Sequence, residues 1–136
     1  MAGSIDFIAD TSAIIGVLRR EAAVEQKIFG KNFAITFVTL AELSLGVLKS
    51  ARPEAAWSRI QDVIGNNQMF HVSTVTPAIY ARIYFDLERR GAMIPINDSW
   101  IAALEIEAGV PILQREPVFP PVPGCLALAR LVPPPG

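Results

Sequence analysis

Four acids carry the chemical signal in this chain: Asp10, Glu42, Asp98 and Glu116. Asp10, Asp98 and Glu116 fall where a strand is expected to end or a helix to begin, and Glu42 is expected one turn inside its helix, able to point the same way. Carboxylates brought into one cleft repel each other, and a divalent cation relieves the repulsion. Mg²⁺ and Mn²⁺ favour oxygen ligands. The single histidine, His71, and the single cysteine, Cys125, are too few to build a zinc site. A cation held by carboxylates can activate water or clamp the oxygens of an in-line phosphoryl displacement, chemistry that suits phosphodiester hydrolysis.

Each acid also has a plainer reading. Asp10 and Asp98 are types that cap helices, Glu42 would complete a capping box with Thr39, and Glu116 would be a solvated loop residue. What sets the four apart is their joint placement at one end of the expected sheet. Asp6, Asp62, Asp86, Glu21, Glu25, Glu54, Glu88, Glu105 and Glu107 lack it and read as helix-surface or strand-edge charges.

The elements that would position these acids alternate. Residues 6–9 read as a short buried strand and Asp10-Thr11-Ser12 as a helix start. A short helix is expected over about 21–28 and a strand over 33–38, where β-branched and aromatic residues cluster. Thr39 opens the next helix, with Leu40, Leu43 and Val47 on one stripe. Pro53 suits the first turn of the following one. A strand is expected over 69–75, a helix from Thr76 to about Arg90, and another from Asn97-Asp98 with Trp100, Ile101, Leu104 and Ala108 inward. Pro111-Ile112-Leu113 reads as a strand and residues 126–128 as a last one. Alternation of this kind argues for a mainly parallel sheet of four to five strands with helices on both faces, an α/β/α sandwich. Ligands of such sheets collect at the carboxyl ends of the strands, where the four acids fall.

Composition bounds the rest. The chain has 136 residues, 51% apolar and 18% charged, enough for one core with apolar surface to spare for a partner. Residues 1–130 read as one domain and 131–136 as a Pro-rich tail, since seven of the eleven prolines lie in 117–136. No stretch is long and apolar enough for a membrane span. The N-terminus lacks the basic region of a signal peptide, and a lone cysteine fits the reducing cytoplasm. The net charge of −1 advertises no broad nucleic-acid surface, and only Arg19-Arg20, Lys49 with Arg52, and Arg89-Arg90 form basic clusters.

Three blocks stand out: Ile8-Ala9-Asp10-Thr11-Ser12-Ala13, Thr39-Leu40-Ala41-Glu42-Leu43-Ser44-Leu45-Gly46 and Ile96-Asn97-Asp98-Ser99-Trp100-Ile101-Ala102-Ala103. They continue into Gln114-Arg115-Glu116-Pro117-Val118-Phe119 and Val122-Pro123-Gly124. In these blocks the chain resembles the PIN-domain family, most of all its VapC-type toxins. These blocks stand in the family's order and span about residues 6–128. The resemblance implies a three-layer fold and a Mg²⁺- or Mn²⁺-dependent endoribonuclease, the toxin of a toxin–antitoxin pair. Asp10, Glu42 and Asp98 match its metal-binding acids. At the fourth position the family usually has a hydroxyl residue, Arg or Asn, then Asp; here Gln114, Arg115 and Glu116 stand, followed by Pro117. The implied partners are RNA, an antitoxin and a second copy of the chain.

Secondary residues have their own readings. Thr11 and Ser12 would orient a water or Asp10, or cap the helix. Arg115 would touch phosphate or lie on the surface. Trp57 and Trp100 read as core rather than base-stacking platforms, and His71 as a structural residue within a strand. Two competing functions remain: a catalytically weak PIN-like module that binds RNA or a protein, motivated by the altered 114–116 segment, and a receiver-like phosphoacceptor domain. The latter needs an Asp after a third strand and a late Lys, and the last lysine is Lys49.

Overall fold

The computed structural model describes residues 4–65 and 67–113. Ten elements follow one another: β1 (Phe7–Ala9), α1 (Thr11–Leu18), α2 (Ala22–Ile28), β2 (Phe33–Thr36), α3 (Phe37–Leu48), α4 (Pro53–Ile64), β3 (Gln68–Phe70), α5 (Thr76–Arg89), α6 (Ile96–Ala108) and β4 (Ile112–Leu113). All strand pairs are parallel, in the order β3-β2-β1-β4.

Side-chain alternation along the strands builds two cores. Phe7, Ala9, Phe33, Ile35 and Leu113 face Ala13 and Ile14 of α1, Val24 of α2, Leu43 of α3 and Ile60 of α4. Ile8 and Ile112, one residue out of phase, face Val38 and Ile101 on the other side. A third cluster joins Ile83 and Leu87 of α5 to Ala102 and Ala103 of α6. The result is the expected three-layer α/β/α sandwich with a parallel sheet, four-stranded among the described residues. Its middle strand β1 is buried on both faces, so Phe-Ile-Ala reads as an unbroken apolar run.

Several boundaries differ from the sequence reading, and the causes are linked. The strand expected over 33–38 stops at Thr36, whose hydroxyl accepts the Thr39 amide at 3.2 Å and caps α3. Phe37 and Val38 are strand formers by type, yet both lie inside that helix, where Val38 packs beneath the sheet. Because β2 ends at Thr36, its partner β3 has nothing to pair with beyond Phe70, and the strand expected over 69–75 covers only Gln68–Phe70. His71 therefore lies outside the strand and is exposed.

Helix α6 starts one residue earlier than expected, with Pro95 as its N-cap, and ends at Gly109 in the left-handed conformation (φ 70°). Ala108 is exposed rather than inward. Glu105 is 3% exposed, not the surface charge expected of it. It falls seven residues after Asp98, on the same stripe of α6 as that acid. Among the described residues no helix is long and apolar enough to cross a membrane. Glu116, the expected strand at 126–128 and the tail at 131–136 lie outside the described residues.

Candidate functional site

In the strand order β3-β2-β1-β4 the chain first progresses away from β1 in one direction, then returns to β1's other side. The direction reverses between β1 and β4, and such a switch point opens a crevice at the carboxyl ends of the two strands. Asp10 stands at that point: it follows β1, and its amide donates to the carbonyl of Leu113 at the end of β4, 3.0 Å away. Asp10 holds the N-cap position of α1, but its side chain does not cap. Instead its carboxylate accepts from the Thr11 amide and from the Ser12 hydroxyl, the latter at 3.3 Å from Oδ2.

Glu42 lies in the second turn of α3, and does not serve a capping box, because Thr39 is already inside the helix. Its Oε1 accepts the Thr11 hydroxyl at 2.6 Å. The same hydroxyl is 3.2 Å from Thr39 Oγ1. Asp98 sits in the first turn of α6, on the other face of the sheet, and is not its N-cap. That turn faces the same edge, since the Asp98 charge acts on Asp10 and the Glu42 charge on Asp98. Three stretches far apart in sequence thus bring acids to one edge.

The acids act on one another's protonation. Burial pushes the Asp10 carboxyl up to about 6, and the negative charges of Asp98 and Glu42 add to the rise, while the Thr11 amide and Ser12 hydroxyl oppose it. Asp98 is also raised, first by burial and then by Glu42. Repulsion that favours protonated aspartates is the electrostatic signature of a site that favours an added cation. Among the described residues no three acid, His or Cys side chains lie close enough to enclose an ion by themselves. The full convergence expected of Asp10, Glu42 and Asp98 is thus not reached. The donor set nevertheless fits Mg²⁺ or Mn²⁺: it is all carboxylate oxygen, and such ions keep several waters and need only one or two protein carboxylates.

The hydroxyl pattern is what sequence reasoning missed. Ser12 serves Asp10, as one of its readings had it, whereas Thr11 reaches across to α3. The available signal was a Thr three residues before Thr39, which marks Thr36 as the cap and moves Thr39 inside the helix. Trp100 is half-buried and stacks on Tyr80 of α5, with ring centroids 3.9 Å apart and planes 14° from parallel. Trp57 packs against the first core.

A parallel α/β sheet with carboxylates repelling one another at its switch point defines the general class, an α/β protein with an acidic site. Its family is narrower. Residues 7–123 match the PIN domain, and the chain belongs to that family. Over 118 residues it is 30% identical to ribonuclease VapC4 of Mycobacterium tuberculosis, spanning 85% of this chain and 90% of that protein. Its fold matches VapBC2 from Rickettsia felis bound to a promoter DNA fragment with a TM-score of 0.82 at 21% identity, over 89% of this chain and 96% of that one. VapBC-5 of Mycobacterium tuberculosis, a member of the VapBC family of toxin-antitoxin systems, matches with a TM-score of 0.66 at 27% identity, over 82% and 85% of the two chains.

Proposed function

We propose that this protein is a Mg²⁺- or Mn²⁺-dependent endoribonuclease and the toxin of a toxin–antitoxin pair. The observation that carries the reading is the raised proton affinity of Asp10 and Asp98, to which the neighbouring acids at the switch point contribute. Family membership and the ribonuclease name of VapC4 support the activity. The likeness to VapBC-5, a member of a toxin-antitoxin family, supports an antitoxin partner. The exposed Phe29, Leu45 and Leu48 supply apolar surface for an antitoxin or a second copy of the chain to cover.

Asp10, Glu42 and Asp98 would hold the cation through their carboxylate oxygens, with Glu116 a fourth acid of the site. When bound, the cation supplies Lewis acidity and an activated water beside the scissile phosphate. The protein's own groups then have defined tasks. Ser12 and the Thr11 amide hold the Asp10 carboxylate in place. The acids face a polyanion, so RNA approaches only when their charge is neutralised. With its carboxyl pushed up to about 6, Asp10 is mostly ionised at neutral pH and ready to bind a cation. A reducing interior fits the single cysteine.

The test is RNA cleavage by protein freed of any antitoxin, in Mg²⁺, in Mn²⁺ and in chelator, beside Asp10→Asn. Cleavage that needs metal and Asp10 supports the proposal. No cleavage in either metal, with the variant behaving identically, favours the second reading, a catalytically weak PIN-like module, which the altered Gln114-Arg115-Glu116 segment motivates.

A further inference from the structure

The contact between Thr11 and Glu42 links two elements that share no local sequence. Thr11 begins α1 and Glu42 lies thirty-one residues later on α3, yet the hydroxyl and Oε1 are 2.6 Å apart. A hydroxyl carries one proton. The short contact to a carboxylate oxygen takes it, because charge-assisted bonds are the stronger ones. The longer contact to Thr39 Oγ1, at 3.2 Å, competes for the same proton and is the weaker of the two. Thr39 is fully buried, and its amide is held by the α3 cap at Thr36. Thr11 thus lies between a fully buried threonine and the Glu42 carboxylate.

We propose that Thr11 is a positioning residue, whose hydroxyl holds the Glu42 carboxylate in one orientation by occupying Oε1 and so presents Oε2 to a divalent cation. Among the described residues no other hydrogen bond holds Glu42. Without Thr11 the Glu42 side chain, free at three torsions, must be ordered by the cation itself, and its affinity falls. Partners that orient a ligating carboxylate typically contribute about 10- to 100-fold in metal affinity. Ser12, one residue on, serves Asp10 in the same way, so adjacent hydroxyls divide the work between two acids. The inference rests on the proposed cation site.

The experiment is calorimetric titration of the whole protein with MnCl₂ near neutral pH, without RNA, alongside each variant's metal-free melting curve. Wild type should bind Mn²⁺ and Glu42→Gln should bind it weakly; if wild type binds none, the cation site fails and the inference with it. Given binding by wild type, Thr11→Val should raise the Kd about tenfold or more while Thr11→Ser restores it to within about threefold. The metal-free melting temperatures should differ little. Thr11→Val binding Mn²⁺ as wild type does, or Thr11→Ser binding as poorly as Thr11→Val, overturns the inference and leaves the cation site standing. If Val at this half-buried position prevents folding, Thr11→Ala set against Thr11→Ser makes the same comparison.

Discussion

Asp98, in the first turn of α6, raises the proton affinity of Asp10, at the end of β1, although the two approach from different layers of the sandwich. Their repulsion, together with burial, gives the metal-free protein a defined pH response. In the unfolded chain Asp10 titrates near 3.8, and in the folded protein near 6. The fold thus holds this proton to higher pH than the unfolded chain does. The contribution is a stabilisation fully present below 3.8 and lost as pH rises toward 6. A difference of that size corresponds to about 3 kcal/mol as an upper bound. Asp98 is raised too and acts in the same direction. Melting curves in chelator should therefore show Asp10→Asn gaining on wild type as pH rises from about 4 to 7, with a difference that levels off above about 6. A constant difference across that range counts against a perturbed Asp10.

Asp10→Asn should also separate stability from activity. Asn keeps a side-chain oxygen for the Thr11 amide and removes the buried charge, so at neutral pH without metal the variant should melt higher than wild type, by about 1–3 kcal/mol of stability. RNA cleavage should fall more than about 100-fold. A variant both less stable and still active would remove Asp10 from the site.

Mn²⁺ should raise the melting temperature of wild type, because the proposed site exists only in the folded state. At a concentration of about 100 Kd the gain is about 2.7 kcal/mol. The rise should fade below about pH 6, where Asp10 takes up its proton and competes with the metal. Asp98→Asn should lose most of it. A melting temperature indifferent to millimolar Mn²⁺ near neutral pH would argue against a binding site.

Gly16 tests how tightly the helical layer around the site is packed. A Cβ there would lie 2.8 Å from Val24 Cγ2 and 3.2 Å from Val24 Cβ. Val24 is buried and β-branched, so in α2 it has one strongly preferred rotamer and little room to turn. Ala normally gains about 1 kcal/mol over Gly inside a helix. Here overpacking of about 1–3 kcal/mol should outweigh it. Thermal or urea unfolding should find Gly16→Ala less stable than wild type, and Gly16→Ala less costly in a Val24→Ala background than alone. A stabilised Gly16→Ala would contradict the close approach.

Much of the architecture was legible in the residues. Helix α4 begins at Pro53 as read, because a proline at the start of a helix loses no hydrogen bond. Helix α6 stops at Gly109 because the next backbone conformation is left-handed. Where local signals misled, the deciding partner was distant. Phe37 and Val38 look like strand, but the Thr36 cap and the core beneath the sheet take them into α3. Residues 71–75 look extended, but the strand they would pair with has already turned into a helix. Glu105 looks like a surface charge, but the face of α6 it shares with Ile101 and Asp98 turns inward.

The same division holds for the candidate site. Residue type and order singled out Asp10, Glu42 and Asp98 as candidates, because an acid at a strand end or within the first two turns of a helix is a local property of the chain. Which hydroxyl serves which acid was decided only in three dimensions: Ser12 reaches Asp10 two residues away, whereas Thr11 reaches Glu42 on another helix. So was the rise in proton affinity at Asp10, since burial and repulsion depend on how closely separate layers pack, and no pattern along a single chain records that distance.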